Sequence, residues 1–256
     1  EYGSSLENRA RFPLAVLRRV KAEVGKELAV LIKMNGSDFV EGGITLDQAK
    51  ETARIFEQGG VDAITVSAAT DSTLYMSIQP AVFPRGVLVP LAQGVKSVVS
   101  VPVVAVGRIN DPQFAESILA DGKADLVAMG RSLICDPELP RKVAEGRPED
   151  IRPCIACSTA CTEGGQRAGV MSCISNAQAG REDTARIAPA ERSRQVLVVG
   201  GGPAGMEVAR VAAMRGHKVT LCEKSARLGG LLNAGSAPPY KYEMPNLVRY
   251  FARQLD

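Results

Sequence analysis

Apolar runs and amphipathic segments alternate along the first part of this chain, and this alternation most restricts its fold. The run 28–34 (LAVLIKM) is apolar except for Lys33, and Thr45-x-x-Gln48 then predicts the capped start of a helix that ends at Gly59. The same order recurs, with strands predicted at 61–67, 101–106 and 124–129 and helices at 88–98, 112–120 and 137–145. Apolar strands joined by helical crossovers predict an α/β fold with a parallel sheet covered by helices.

Two Gly-Arg pairs stand directly after the last two of these strands. They are Gly107-Arg108 and Gly130-Arg131. In a (β/α)8 barrel the loops after strands 7 and 8 form a phosphate site, where glycine allows close backbone approach and arginine supplies a charged fork. We therefore predict that residues 1–147 are the C-terminal half of a TIM barrel, strands 5–8, with both pairs at a phosphate. The alternative is that the arginines are ordinary solvated loop residues.

Lys33 lies near the carboxyl end of the first strand, in IKMNGSD. An isolated ammonium in a barrel mouth is costly unless it meets an anion or its pKa is lowered, which suggests a function. Two roles fit: the Schiff-base nucleophile of an aldolase, or a fixed positive charge beside an electron-rich cofactor ring. A lysine that only extends to the rim is the alternative without function.

Four cysteines fall within twenty residues, spaced C-x2-C-x3-C-x11-C. They are Cys154, Cys157, Cys161 and Cys173. Thiolates this close can converge on a [4Fe-4S] cluster or a structural zinc ion, and the short C-x2-C spacing favours the cluster. Disulfides are a third possibility. We predict that residues 148–190 form an iron-sulfur segment and linker.

Residues 191–256 carry the pattern of a Rossmann-like FAD/NAD(P)-binding domain. A predicted strand at 196–199 runs into G-x-G-x-x-G, and a carboxylate ends the next strand about 20 residues later. The glycines let a pyrophosphate reach the helix N-terminus, the carboxylate can hold ribose hydroxyls, and a later glycine pair allows a second close approach. The residues concerned are Gly200, Gly202, Gly205, Glu223 and Gly230.

Composition narrows the classes of function. A chain of 256 residues that is 45% hydrophobic and 23% charged can bury a real core. A net charge of +3 with no basic stripe and 4% aromatic residues argue against nucleic-acid binding, and no apolar run reaches membrane-spanning length. We expect a cytoplasmic protein that acts on a small-molecule substrate. The oligomeric state is not readable from the sequence.

The opening segment EYGSSLENRARF carries the capping-box pattern Ser4-x-x-Glu7 and resembles the D-x-YGGS-x-ENR-x-RF segment of the old yellow enzyme family of FMN barrels. Ser4 stands where that family usually has its second glycine. The stretch 101–142 continues the likeness. The cysteine run and VVGGGPAG resemble the iron-sulfur branch that contains 2,4-dienoyl-CoA reductase, trimethylamine dehydrogenase and enoate reductases. The resemblance covers nearly the whole chain, and we expect the chain to be a fragment.

The resemblance implies a role for each candidate residue. Lys33 would lie at the N1/O2 edge of FMN, the two Gly-Arg pairs would hold the FMN phosphate, the four cysteines would ligate a [4Fe-4S] cluster, and the glycine motif with Glu223 would bind FAD. In reductases of this branch NAD(P)H is expected to reduce FAD. Electrons then pass singly through the cluster to FMN, which gives hydride to an activated C=C bond.

The chain also departs from that branch. It lacks the barrel strands that carry the family's acid tyrosine, and SAATDSTLYMSIQPAVFP has no histidine where dienoyl-CoA reductases have one. Tyr75, or else Asp71, is our candidate proton donor. The leading hypothesis is an NAD(P)H-dependent ene-reductase. The alternatives are an amine dehydrogenase, an aldolase acting through Lys33, and a zinc-stabilised nucleotide-binding module without redox activity.

Overall fold

A computed structural model describes residues 2–164 and 169–256 of the chain. Residues 165–168, within the predicted iron-sulfur segment, lie outside the described residues. The chain packs as two compact units. The first contains the chain up to Gln79 and Phe83–Met129, and the second contains Pro80–Val82 and Gly130–Asp256.

The first unit is built on a parallel sheet in the order β1-β2-β3-β4. The strands are β1 Leu31–Asn35, β2 Ala63–Ser67, β3 Val103–Ala105 and β4 Leu126–Val127. The helices are α1 Leu6–Val24, α2 Leu46–Gln58, α3 Leu74–Ser77, α4 Val89–Lys96 and α5 Pro112–Ala120. The prediction of an α/β chain with a parallel sheet is confirmed, although each strand is shorter than its apolar run.

Local capping explains where two helices begin. Thr45 and Gln48 form the predicted capping box at α2, each side chain accepting the other residue's backbone N–H at 3.4 Å. The box predicted from Ser4 is wrong by one residue, because Ser5 is the N-cap of α1 and accepts from the Asn8 N–H at 3.3 Å. Ser4 has φ of 66° instead.

The core of the first unit lies between its sheet and its helices. Ile64 and Val66 of β2, and Val103 and Ala105 of β3, are completely buried against side chains that include Phe56 of α2. Burying aliphatic side chains in this way is the main favourable term in folding. The sheet therefore fixes the carboxyl ends of β1, β2 and β3, from which the candidate residues of this unit project.

Two aspartates repeat one contact at the start of β2 and β4. The Asp125 carboxylate accepts from Lys96 Nζ and, at 2.9 Å, from the Val103 N–H. Asp62 accepts from Lys21 Nζ at 2.8 Å and from the backbone N–H just ahead of β1 at 2.6 Å. The lysine hydrogen bond, followed by the backbone N–H, lowers the pKa of each carboxyl. Each aspartate thus ties its own strand to the preceding one.

The second unit has a parallel pair of strands and several short helices. Its elements are α6 Gly130–Cys135, α7 Leu139–Ala144, a π-helix Thr159–Gly164, β5 Gln195–Val199, α8 Pro203–Met214, β6 Lys218–Cys222, α9 Leu231–Gly235 and α10 Met244–Leu255. Neither α6 nor the π-helix is predicted from the sequence. In the described parts of the chain, no helix combines the length and apolar character needed to cross a membrane.

A small core fastens the cysteine segment to the second unit. Ile155, between the first two clustered cysteines, is buried with Met206 of α8 and with Leu247 and Phe251 of α10. This packing holds the loop that bears Cys154 against the helices that follow the glycine motif.

Candidate functional site

The carboxyl end of β1 forms a hydrogen-bonded corner in the first unit. Asn35 Nδ2 donates to Asp38 Oδ1 at 2.7 Å and to the Ala69 carbonyl at 2.8 Å, so the loops after β1 and β2 are joined. Lys33 is exposed on β1 and lines a cavity of about 490 Å³ together with Arg9 and Asn35. Lys33 thus stands on rigid strand backbone and lines this cavity, and its role beside a cofactor stays a prediction.

Gly107 and Arg108 form a constrained turn after β3. Gly107 has φ of 105°, and a Cβ there would lie 2.8 Å from the Leu88 side chain, so only glycine fits. Arg108 has φ of 52°, is 5% exposed, and donates from Nη1 to the Phe83 carbonyl. The guanidinium is therefore used in part to hold the loop that contains Phe83. Its assignment to a phosphate stays a prediction.

Tyr75 lies on α3, beyond the end of β2. Its ring stacks on Phe83 with centroids 6.0 Å apart and planes 13° from parallel, and the residue is 53% exposed. The stacking orients an accessible phenol without burying it. Asp71, the other candidate donor, lies in the short 3-10 helix that precedes α3.

Gly130 and Arg131 open α6 in the second unit. Arg131 Nη1 donates to Ser158 Oγ at 2.9 Å, within the cysteine segment, and the side chain lines the same cavity as the clustered cysteines. The structure thus places Arg131 with the cysteines. Whether Gly130 and Arg131 also hold a phosphate stays a prediction.

All four clustered cysteines line one cavity of the second unit. Cys154, Cys157, Cys161 and Cys173 are free thiols and share this cavity with Arg131. The disulfide alternative is therefore not the arrangement in this structure. Within 2–164 and 169–256, however, no group of three or more Cys, His, Asp or Glu side chains is placed to hold a metal ion. The thiols converge on one space without forming a ready cage for a single ion.

The backbone around this cavity turns its N–H groups toward the sulfur atoms. Ala156 and Ser158, on either side of Cys157, both have φ of 51°. The Ala156 N–H donates to the Cys154 sulfur, and the N–H of Ser175 donates to Cys173. Concave loops of this kind with inward N–H groups bind anions, including iron-sulfur clusters. Four thiols, N–H donors and a nearby guanidinium fit an anionic thiolate-ligated cluster.

The surroundings of Cys154, Cys161 and Cys173 shift the pKa values of these thiols in different directions. Burial raises the pKa of Cys154 and of Cys161, and the positive charge of Arg131 opposes the rise at both. A hydrogen bond from Cys135 lowers the pKa of Cys173 to about 6, although burial works against it. Cys173 is thus more ready than Cys154 or Cys161 to act as a thiolate ligand at neutral pH.

The glycine motif after β5 is a closely packed turn. Gly200 has φ of 103°, and a Cβ on Gly205 would lie only 1.9 Å from the Gly200 carbonyl oxygen. A Cβ on Gly202 would meet nothing within 4 Å, and Gly202 is the N-cap of α8. Gly205 therefore lets helix and strand approach, while Gly202 keeps the helix N-terminus open, as a bound pyrophosphate requires.

Glu223 follows β6 and reaches this turn. Its Oε2 accepts from the Gly201 N–H at 2.6 Å, and its Oε1 accepts from the Ser225 N–H at 2.8 Å. The backbone bond from Ser225, followed by that from Gly201, lowers the pKa of Glu223. Gly230 has φ of 49° and lies close to Gly202. The structure thus brings all five predicted FAD-site residues together.

Sequence reasoning missed two features of these sites. The Asn35–Asp38 pair lay in the quoted segment IKMNGSD, but nothing in the sequence showed that it would join the loops after two strands. Cys135 is a fifth cysteine near the cluster segment, completely buried, and its Sγ donates to the Pro153 carbonyl at 3.4 Å. Because Cys135 lies outside the C-x2-C-x3-C pattern, the sequence did not indicate that it would lie near the clustered cysteines.

Comparison with known proteins identifies the family. The profile of the NADH:flavin oxidoreductase / NADH oxidase family matches residues 1–150, more than half of the chain. The chain belongs to this family. A second profile, FAD dependent oxidoreductase, matches residues 195–255, the segment with the glycine motif. These matches agree with the resemblance noted in the sequence, which implied this family, its FMN and FAD cofactors and its oxidoreductase character.

Individual relatives extend along nearly the whole chain. An NADH oxidase of Thermoanaerobacter brockii is 45% identical over 94% of this chain, which covers 37% of that protein. The structure of a 2-naphthoyl-CoA reductase is 38% identical with a TM-score of 0.94, covering 100% of this chain and 39% of the other. Histamine dehydrogenase from Rhizobium sp. 4-9 is 31% identical with a TM-score of 0.89, covering 100% and 37%. The chain thus spans less than half the length of these family members.

Proposed function

We propose that the chain forms part of an NAD(P)H-dependent flavin oxidoreductase that carries FMN, a [4Fe-4S] cluster and FAD and reduces an activated C=C bond. One observation carries this proposal: a single chain combines a family match to FMN oxidoreductases, four free cysteines around one cavity, and a dinucleotide-type glycine turn. The likeness to 2-naphthoyl-CoA reductase supports C=C reduction. We further propose a small-molecule substrate and a cytoplasmic location.

The fold positions are assigned accordingly. Residues 1–147 would be the C-terminal half of an FMN barrel, residues 148–190 the iron-sulfur segment, and residues 191–256 the start of a Rossmann-like FAD domain. When bound, the three groups would accept hydride from NAD(P)H, carry single electrons and deliver hydride to carbon.

The residues of the chain would hold and tune these groups. Lys33 would offer its ammonium to the electron-rich edge of FMN, and Gly107 with Arg108 would approach the phosphate. The four cysteines would ligate the cluster. Flavin chemistry in the family favours this charge role for Lys33 over a Schiff base. Tyr75, whose phenol is accessible and oriented by Phe83, would donate the proton to carbon.

Metal and sulfide analysis tests the cluster directly. The full-length protein, purified without oxygen, should contain about four iron and four sulfide per chain, as expected for a [4Fe-4S] cluster. Replacing Cys157 by Ser should reduce both contents, whereas replacing the exposed Cys222 by Ser should not. About one zinc per chain with no iron or sulfide would contradict the proposal and support the zinc-stabilised module.

An amine dehydrogenase is the second candidate, favoured by the likeness to histamine dehydrogenase. The direction of electron flow separates the two. Under anaerobic conditions NADH or NADPH should bleach the flavin absorption of the full-length protein, and an enoate or aromatic acyl-CoA should restore it. Bleaching by a primary or methylated amine, with no response to NAD(P)H, would overturn the ene-reductase proposal.

A further inference from the structure

Helix α3, which carries Tyr75, has only four residues, Leu74–Ser77. A single helical turn is unstable on its own, because it fixes several backbone dihedral angles for very few hydrogen bonds. The position of α3 in the first unit therefore depends on its contacts with the rest of the fold. Those contacts decide where the phenol of Tyr75 stands.

Several contacts hold the middle and the end of α3. Met76 is buried in a cluster with Ala68 and Leu88. The buried Gln79 donates from Nε2 to the Met76 carbonyl, and the Tyr75 ring stacks on Phe83. All of these partners belong to residues 68–88, so they fix α3 only within its own stretch of the chain.

Thr73, directly before α3, joins the start of the helix to the loop after β1. Its side chain is buried, and Oγ1 donates to the Asp38 carbonyl at 2.7 Å. The same oxygen accepts from the Thr70 N–H at 2.9 Å. One hydroxyl group thus satisfies two backbone groups, and a valine of the same shape would take this partner from both of them.

The Asp38 end of this bond is itself held firmly. Asp38 Oδ1 accepts from Asn35 Nδ2 at 2.7 Å, and Oδ2 accepts from the Ile44 N–H at 2.8 Å. The Asp38 N–H donates to the Ile44 carbonyl at 2.9 Å. Because Asn35 is the last residue of β1, the Thr73 hydroxyl connects the start of α3 to the strand that bears Lys33.

We propose that Thr73 is a positioning residue whose hydroxyl ties the start of α3 to the Asp38 carbonyl and so holds the Tyr75 phenol in place for proton transfer. A general acid acts only within hydrogen-bond reach of the atom that it protonates, so a small displacement of the phenol slows the reaction. The inference rests on Tyr75 as the proton donor of the proposed function. Thr73 is buried and acts through Tyr75.

Stopped-flow absorbance of the full-length protein tests this role, because it separates the two half-reactions. Thr73→Val should slow reoxidation of the reduced flavin by the enoate cinnamate about tenfold, a part of the roughly 10²–10⁴-fold that a general acid contributes. Reduction of the flavin by NAD(P)H should keep its wild-type rate. Slowing of both half-reactions would overturn the inference, since it would show general damage rather than a misplaced phenol.

Two further variants control for the loss of a hydroxyl group. Thr73→Ser keeps the donor and should restore the reoxidation rate to within about twofold of the wild type. Ser117→Ala removes an exposed hydroxyl that donates to the Phe114 carbonyl at 2.8 Å in α5, and it should change neither half-reaction. Equal slowing in Thr73→Ser and Thr73→Val would overturn the inference.

A double-mutant cycle shows whether Thr73 acts through Tyr75. Tyr75→Phe removes the phenol proton, and adding Thr73→Val to it should slow reoxidation little further, because both changes affect one step through one side chain. Fully additive effects would overturn the inference, as would slow reoxidation in Tyr75→Phe with a wild-type rate in Thr73→Val. Wild-type rates in Tyr75→Phe would instead contradict the proton donor of the proposed function.

Hydrogen exchange gives a readout that requires no substrate. The Ile78 N–H donates to the Leu74 carbonyl at 3.0 Å and therefore reports on α3. It should exchange faster in Thr73→Val than in the wild type, and at the wild-type rate in Thr73→Ser. Unchanged exchange in Thr73→Val would overturn the inference whatever reaction the protein catalyses. A wild-type flavin that NAD(P)H does not reduce would contradict the proposed function, while the exchange of Ile78 would still test the contact between Thr73 and Asp38.

Discussion

Single residues in left-handed backbone mark the places where this chain bends around its candidate sites. Arg108 follows β3, and Ala156 and Ser158 surround Cys157. Such a conformation costs an L-residue roughly 1–2 kcal/mol, and it persists only where other contacts hold it. Here those contacts include the Arg108 hydrogen bond to Phe83 and the burial of Ala156. These three residues lie in the loops that we assign to FMN and the cluster.

Ser4 carries the same strain without a comparable contact to explain it. It is exposed with φ of 66°, at the place where the resemblance to the old yellow enzyme family puts a glycine. Replacing Ser4 by Gly should therefore stabilise the protein by about 1 kcal/mol, because glycine adopts this φ without steric cost. The change in the midpoint of urea unfolding measures the effect.

The neighbouring serine provides the control for this prediction. Ser5→Ala removes the N-cap of α1 and should destabilise by about 1 kcal/mol. If Ser4→Gly and Ser5→Ala changed the urea midpoint equally, backbone strain at Ser4 would not be the factor that distinguishes the two positions.

At the scale of elements, two glycines of the turn between β5 and α8 have different roles, one in packing and one in cofactor binding. Gly205 touches the Gly200 carbonyl, whereas Gly202 faces open space. Gly205→Ala should destabilise the second unit, since its Cβ cannot be accommodated without moving α8 away from β5. Gly202→Ala should leave the fold intact and weaken FAD binding, because the added methyl lies where the pyrophosphate would approach.

Two measurements on the full-length protein keep these effects apart. Thermal unfolding should shift to lower temperature in Gly205→Ala and hardly change in Gly202→Ala. The FAD content after purification should fall in Gly202→Ala while iron and sulfide stay at the wild-type level. Full FAD content in Gly202→Ala would contradict the assignment of this turn to the pyrophosphate.

At the scale of the whole molecule, the two aspartates at the start of β2 and β4 predict how the free energy of unfolding depends on pH. Asp62 and Asp125 have lowered pKa values in the folded protein. Their stabilising effect is therefore complete above the unfolded-state pKa of about 3.9 and is lost as pH falls through the lower folded values. Urea midpoints should change little between pH 7 and pH 5 on this account and fall below pH 4.

Replacing one of the two carboxylates tests this mechanism. Asp125→Asn should lower stability at pH 7 by about 1 kcal/mol, since it weakens the bonds from Lys96 and Val103, and it should flatten the decline below pH 4. Asp183→Asn, an exposed change in the linker, should match the wild type at every pH. An acid decline as steep in Asp125→Asn as in the wild type would assign the decline to other carboxyls.

Much of the architecture was readable in the sequence because local signals specified it. Periodic apolar runs and the Thr45 capping box depend on residues only a few positions apart. Helix α6 was not predicted, whereas the helix predicted at 137–145 is present as α7, Leu139–Ala144. The segment of α6 is six residues long, too short for a periodic pattern, and its ends are held by contacts with the cysteine segment.

The sequence by itself determined the family, the order of the segments, the parallel α/β character and the identity of the four clustered cysteines, because these depend on residue type and spacing along the chain. Only the tertiary structure decided that Arg131 lies beside those cysteines, that Asn35 joins the loops after β1 and β2, and that Cys135 donates to the Pro153 carbonyl next to Cys154. Such contacts join residues that are distant in sequence. Their hydrogen bonds and burial exist only once the helices and loops have packed.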